Sequence, residues 1–205
     1  MLGLNYTFDS RNSGLDPNSG VILKLNTSFA GLGGQTNYTK TSFLIGAQTR
    51  IFNEDVVLRA ELEGGVLSDR SGQSWFPDRF TQNASIMRGF AINGMGPRYL
   101  NTAGNDALGG NMFAVARFEA SFPIGLPEEY GIAGGLFFDI GSIWNLDATT
   151  TTGGTDATMH LRSVIGVSIF WDTPVGPLRF NLSRPISQQT YDVPETFSLS
   201  VGTRF

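Results

Sequence analysis

Apolar and polar residues alternate with a period of two along most of this chain, and helical periodicity is nearly absent. In the final stretch, TFSLSVGTRF, Phe197, Leu199, Val201 and Phe205 fall on one face, with Ser198, Ser200, Gly202 and Arg204 on the other. Upstream, Met112, Ala114, Ala116, Phe118 and Phe122 oppose Asn111, Arg117, Glu119 and Ser121. Val56, Leu58, Ala60 and Leu62 oppose Arg59, Glu61 and Glu63, and Ile132, Leu136, Phe138 and Ile140 oppose Asp139. Read throughout, the pattern predicts about nine strands of roughly ten residues each. They lie near 2–8, 20–29, 38–51, 55–67, 110–123, 131–144, 160–172, 177–184 and 196–205.

Strand length narrows the architecture. Strands in a soluble sandwich usually have about 5–6 residues, whereas about ten residues, tilted, cross a bilayer as one barrel strand. The polar faces also carry too many charges and glycines for a dry core. One apolar face and one wet face, repeated along the chain, predict an all-β, antiparallel transmembrane barrel. The connections support this by alternating in length. Those at 53–55, 123–130 and 172–177 are short to moderate, while those at 30–37, 68–110, 145–159 and 184–195 are mostly longer. Short turns on one side and long loops on the other are the outer-membrane pattern, which strains only at 9–20. An odd number of antiparallel strands cannot close in the usual way, so the chain is expected to be the C-terminal portion of a larger barrel.

Composition removes several alternatives. The 205 residues include 14 Lys plus Arg against 18 Asp plus Glu, giving a mild net charge of -4 with no basic run, which argues against a nucleic-acid surface. The absence of Cys excludes disulfides, thiolate zinc sites and cysteine nucleophiles. No apolar run is long enough for a membrane-spanning helix, and MLGLNYTF has no signal-peptide pattern. His160 is the single histidine, so a hydrolytic triad or histidine metal site would rest on it alone. DSRNSG at 9–14 is a poor calcium loop because Arg11 stands at a ligand position. Glu61 and Glu63 share a strand face and are read as a wet wall rather than an acid/base pair. Trp144, Trp171 and Tyr191, near strand ends, suit an interfacial aromatic belt. The chain is read as a non-enzyme with no cofactor and no metal.

One stretch inside the long 68–110 gap carries candidate chemistry. In QNASIMRGFAING, Arg88, Gly89 and Phe90 bring a cation, a permissive backbone and a large ring together. A lone tripeptide of this kind is ordinarily an exposed loop tip. However, MRGF is followed by GPRY, GGNMFAVARFEASFP, FFDIGSIW, DTPVGPLRFNLSRP and a terminal aromatic residue. That ordered series resembles the C-terminal barrel of BamA-type outer-membrane assembly proteins, the bacterial surface antigen family, related to Sam-type and Toc-type organellar barrels. The likeness is weak over 1–67 and strong over 85–205.

The resemblance implies that residues 1–205 are the later strands of a barrel of about sixteen strands. POTRA domains and the first strands of that barrel are then absent here. The family motif is [VI]RGF, with Met87 at its first position. It implies a loop folded into the barrel, with Arg88 meeting an acidic residue on the inner wall. Asp139 is the matching partner and Glu119 a second, and alternation independently puts both on polar faces. Gly89 would allow the sharp turn and Phe90 would pack beneath the loop. The last strand resembles a C-terminal β-signal, carried by Phe197, Leu199, Val201, Gly202 and Phe205.

The implied function is assembly and insertion of outer-membrane barrels by strand templating at a lateral seam, with a secretion pore or passive channel as the alternative. Expected partners are the outer-membrane bilayer, unfolded barrel clients and periplasmic accessory lipoproteins. Self-association is expected if the chain is only this long. The expected location is the outer membrane.

Overall fold

The computed structural model describes residues 1–13, 17–31, 37–52, 55–70, 72–147, 153–173 and 176–201. Nine strands form one antiparallel sheet in the order β1-β2-β3-β4-β7-β8-β10-β11-β12. They are β1 (Leu2–Asp9), β2 (Gly20–Phe29), β3 (Tyr38–Ile51), β4 (Val56–Asp69), β7 (Met112–Pro123), β8 (Ile132–Trp144), β10 (Arg162–Thr173), β11 (Gly176–Ser187) and β12 (Phe197–Val201). Three two-residue strands, β5 (Arg98–Tyr99), β6 (Asp106–Ala107) and β9 (Thr155–Asp156), make a small separate sheet. The nine long segments match those anticipated from alternation to within a few residues, apart from the described end of β12. Gly202 and Phe205 lie outside the described residues.

Register explains why alternation is so clean. Leu58, Ala120, Leu136, Val167, Leu182 and Phe197 stand opposite one another across β4, β7, β8, β10, β11 and β12. Their larger members are exposed, forming an apolar outer band. Residues one position along face inward. Gly46, Glu61, Arg117, Asp139 and Val164 form one inner row, and Gln48, Arg59, Glu119, Phe137, Gly166 and Ser183 the next. A period of two thus places lipid-compatible side chains on one face and ionisable ones on the other.

The sheet curls. Side chains from β2 (Lys24), β4 (Arg59) and β12 (Ser198) line a common cavity of about 470 Å³. By antiparallel order, β2 leads to β3, β4 to β7, β8 to β10 and β11 to β12 at one end of the sheet, and β1 to β2, β3 to β4, β7 to β8 and β10 to β11 at the other. On the described flanks of the 10–19 connection the β1–β2 ladder continues, with Ser10 N donating to Val21 O and Asn12 N to Ser19 O.

The core is not between two layers; it lies inside the curl, where the long loop enters. Ile86, Met87, Phe90 and Met95 from that loop join Phe113, Val115, Phe137, Ile143 and Val164 from the wall. The small sheet sits over the long-loop end, with β5 joining β6 and β9. Among the described residues no helix is long and apolar enough to cross a membrane.

Candidate functional site: the inward loop and the terminal strand

The loop is turned inward by its own polar residues. Asn83 caps the turn through its Oδ1, which accepts from Ser85 N at 2.9 Å, and its backbone oxygen accepts from Ile86 N and Met87 N. Gln82 Nε2 donates to Met87 O at 2.6 Å, and Asn93 N donates to Gln82 O, closing the loop base. Gly89 has φ +82, and a Cβ there would lie 2.6 Å from Val164 Cγ1. Glycine is therefore required twice over, by backbone conformation and by close approach to the wall. Met87 and Phe90 are almost completely buried.

Arg88 reaches both carboxylates. Its Nε donates to Asp139 Oδ2 at 2.7 Å, its Nη2 to Asp139 Oδ1, and its Nη1 to Glu119 Oε2 at 2.6 Å. The Arg88 backbone N also donates to Asp139 Oδ2 at 3.1 Å. Asp139 is fully buried and its two oxygens are satisfied by this one residue. The guanidinium lies over the Phe137 ring, 3.8 Å from its centroid. That ring occupies the space a side chain at Gly166 would need, so the glycine opposite it in the ladder is part of the platform.

The wall supplies a wider network than two carboxylates. Glu119 also accepts from Arg179 Nη2 and faces Arg59 at 3.8 Å. Arg117 donates to Glu61 at 3.1 Å and Glu63 at 2.6 Å. Its remaining Nη1 donates to Ser85 O at 2.6 Å and Ile86 O at 2.8 Å, so it grips the loop backbone directly. Arg59, Arg88, Arg117 and Arg179 are thereby matched by Glu61, Glu63, Glu119 and Asp139. A balanced, hydrogen-bonded set of charges is what a confined polar interior tolerates; one missing partner leaves an uncompensated charge. The arrangement is equipped to hold a loop rather than to carry out bond chemistry. Among the described residues no group of acidic or histidine side chains is arranged to hold a metal.

The loop also touches the segment entering β12. Phe90 bridges Pro194, Ala91 N donates to Val193 O, Val193 N to Gly94 O, and Glu195 N to Gly89 O. A second buried ion pair fixes that segment from below. Arg162 Nε and Nη2 donate to Asp192 Oδ2 and Oδ1 at 2.9 and 3.0 Å, with both side chains at or below 1% exposure. Phe197, Leu199 and Val201 point outward on β12, in line with Leu182, Phe180 and Leu178 of β11. Among the described residues β12 pairs with β11 alone, and β1 with β2 alone, so both edges carry free backbone groups.

Residues 1–205 match the description of the Omp85 superfamily domain over their whole length. The chain belongs to the Omp85 superfamily. It is 30% identical over 190 residues to the outer membrane protein assembly factor BamA of Neorickettsia risticii, covering 92% of this chain and 25% of that protein. It is 24% identical over 219 residues to BamA of Neisseria meningitidis, covering 95% of this chain and 27% of the relative. Sorting and assembly machinery component 50 homolog A of Xenopus laevis is 30% identical over 224 residues, covering 100% of this chain and 45% of that protein. The crystal structure of Haemophilus ducreyi BamA lacking POTRA domains 1–3 superposes with a TM-score of 0.82 at 20% identity. That match covers 98% of this chain and 41% of the other. The chain thus spans a quarter to under a half of these relatives. It is an outer-membrane β-barrel segment.

Within this Omp85 chain, the sequence reading named Arg88, Asp139 and Glu119 but not Arg59, Arg117, Arg179 or the Arg162–Asp192 pair. Alternation did place Arg59 and Arg117 on polar faces. Their partners depend on register and curvature, which a period of two does not encode. The reading of Tyr191 as a membrane-belt residue is corrected. Its hydroxyl donates to Asp156 Oδ2 at 2.8 Å, in the cap over the long-loop end. Thr158 and His160 contact the same carboxylate at 2.7 and 3.0 Å. Partial burial opposes ionisation of Asp156, but the bonds from Thr158, Tyr191 and His160 outweigh it and hold its pKa down to about 2.

Proposed function

We propose that this chain is the C-terminal barrel portion of an outer-membrane protein that folds and inserts other β-barrels. In it, β12 is one lip of a seam at which incoming strands are templated by backbone hydrogen bonding. The single observation that carries the reading is the combination at β12: an edge strand that pairs on one side only among the described residues, held at its entry by the buried Arg88 loop. An exposed edge accepts another strand without further chemistry. The apolar row ending in Phe197, Leu199 and Val201 keeps that edge at bilayer depth. Together with Gly202 and Phe205, these residues form the proposed β-signal. POTRA domains and earlier strands would precede this portion, clients would be unfolded barrel chains, and accessory lipoproteins would act on the periplasmic side. The relatives named as assembly factors support this choice over a secretion pore or passive channel of the same superfamily.

Reconstitution tests it. The full-length protein carrying this chain, placed in liposomes, should convert an unfolded barrel client to its heat-modifiable folded form. Arg88→Ala should slow that conversion at equal amounts of inserted protein. Ion conductance or polypeptide export without any gain in client folding would favour the channel or secretion reading instead.

A further inference from the structure

We infer that Arg179 is a positioning residue that ties the Arg88 anchor to the terminal strand through the inner wall. This rests on the reading of β12 as a seam strand. The path is continuous. Glu119 accepts from Arg88 Nη1 at 2.6 Å and from Arg179 Nη2 on the same oxygen, Oε2. Arg179 stands on β11, so its contact with Glu119 on β7 skips over β8 and β10. It crosses the Phe170 ring, 4.9 Å from the centroid. Its Nε turns the other way and donates to Asn181 Oδ1 at 2.8 Å. Ser168 Oγ donates to that same oxygen, also at 2.8 Å. With its oxygen held by two donors, the buried Asn181 amide must aim its nitrogen toward β12. There Nδ2 donates to Ser198 Oγ at 3.2 Å.

The link acts where the strand is otherwise weakly held. β12 pairs on one side only among the described residues, from Leu182↔Phe197 to Leu178↔Val201. Its inward side chains, Ser198 and Ser200, bury little apolar surface, so the backbone ladder has slight support from packing. The bond from Glu195 N to Gly89 O and the Phe90–Pro194 bridge hold only the entry to the strand, at the long-loop end. The Arg179–Asn181–Ser198 path reaches its body. Arginine suits this position because its planar fork serves two acceptors facing different directions, which an ammonium group does not. The consequence is a seam strand whose tightness depends on Glu119 being shared between the loop and β11.

Amide exchange in the full-length protein in detergent micelles, followed on peptides by mass spectrometry, tests this without any client. Arg179→Gln should raise exchange over 197–201 by about tenfold, with β3 unchanged and Ala91 and Glu195 still protected. Ser198→Ala removes the acceptor for Asn181 Nδ2 and should loosen β12 alike while leaving the Arg179–Asn181 contact intact. Glu119→Gln should loosen both β12 and the loop. Unchanged exchange over 197–201 in either of the first two variants would overturn the inference, as would a uniform rise across all strands. Because the readout is local protection, it stands apart from whether the protein assembles clients.

Discussion

At the scale of single residues, the buried anchor dominates. Asp139 has no access to water and depends on Arg88 for three of its contacts. Arg88→Ala strands that carboxylate at a cost of about 3–5 kcal/mol, and Asp139→Ala leaves the guanidinium with Glu119 as its only carboxylate. Both variants should lower the temperature at which the folded barrel in detergent loses its compact gel mobility. The double variant should be little worse than either single one; additive losses would mean that the two side chains do not act as a unit. Gly89→Ala should cost about 1–3 kcal/mol, from the left-handed backbone and the clash with Val164, without removing any charge. Its midpoint should fall while Arg88 remains protected from exchange. Of this site, Arg88, Asp139 and Glu119 could be named from the sequence because a motif and an alternation rule agreed. Arg117 could not, since its hold on Ser85 O and Ile86 O arises only once a particular turn meets a particular row.

At the scale of elements, legibility follows repetition. Each long strand repeats a two-residue rule many times, so nine of them could be read with boundaries near those observed. β5, β6 and β9 have two residues each and no period to detect, so the cap they build was not foreseen. Its polar centre is titratable. Asp156, held at about 2 against an ordinary 3.8, is charged and fully hydrogen-bonded above the unfolded value. Its contribution is present above about pH 4 and is lost as pH falls through about 2. The amides of Leu100 and Asn145, which donate to Gly154 O and Ala157 O in the cap, should be less protected at pH 2 than at pH 5, each rate taken relative to that of the unstructured amide at the same pH. Asp156→Asn should show that lower protection already at pH 5 and little further loss of protection on acidification. On β12, Leu199→Arg puts a charge on the lipid face and should cost about 2–4 kcal/mol of folding stability in bilayers, less if the position lies near the interface.

At the scale of the whole molecule, the sheet, its inner lining and the inward loop form one mechanical system. The outer band fits lipid, and the inner rows fit a loop rather than a solvent-filled bore. The loop in turn reaches the segment that enters β12. Alternation indicated a wet interior, and the structure fills that interior with paired charges and buried loop side chains. The proposed function requires that β12, buttressed from within, is an edge that receives incoming strands. Site-specific photo-crosslinking in the full-length protein tests it most directly, using a photo-reactive amino acid at Ser198 or Ser200 and, as a control, at Thr39 in the sheet interior. With a stalled barrel client, adducts should form at the two β12 positions in alternating register with client residues and should be absent at Thr39. Normal client insertion with no β12 adduct, or equal adducts at Thr39, would contradict the claim.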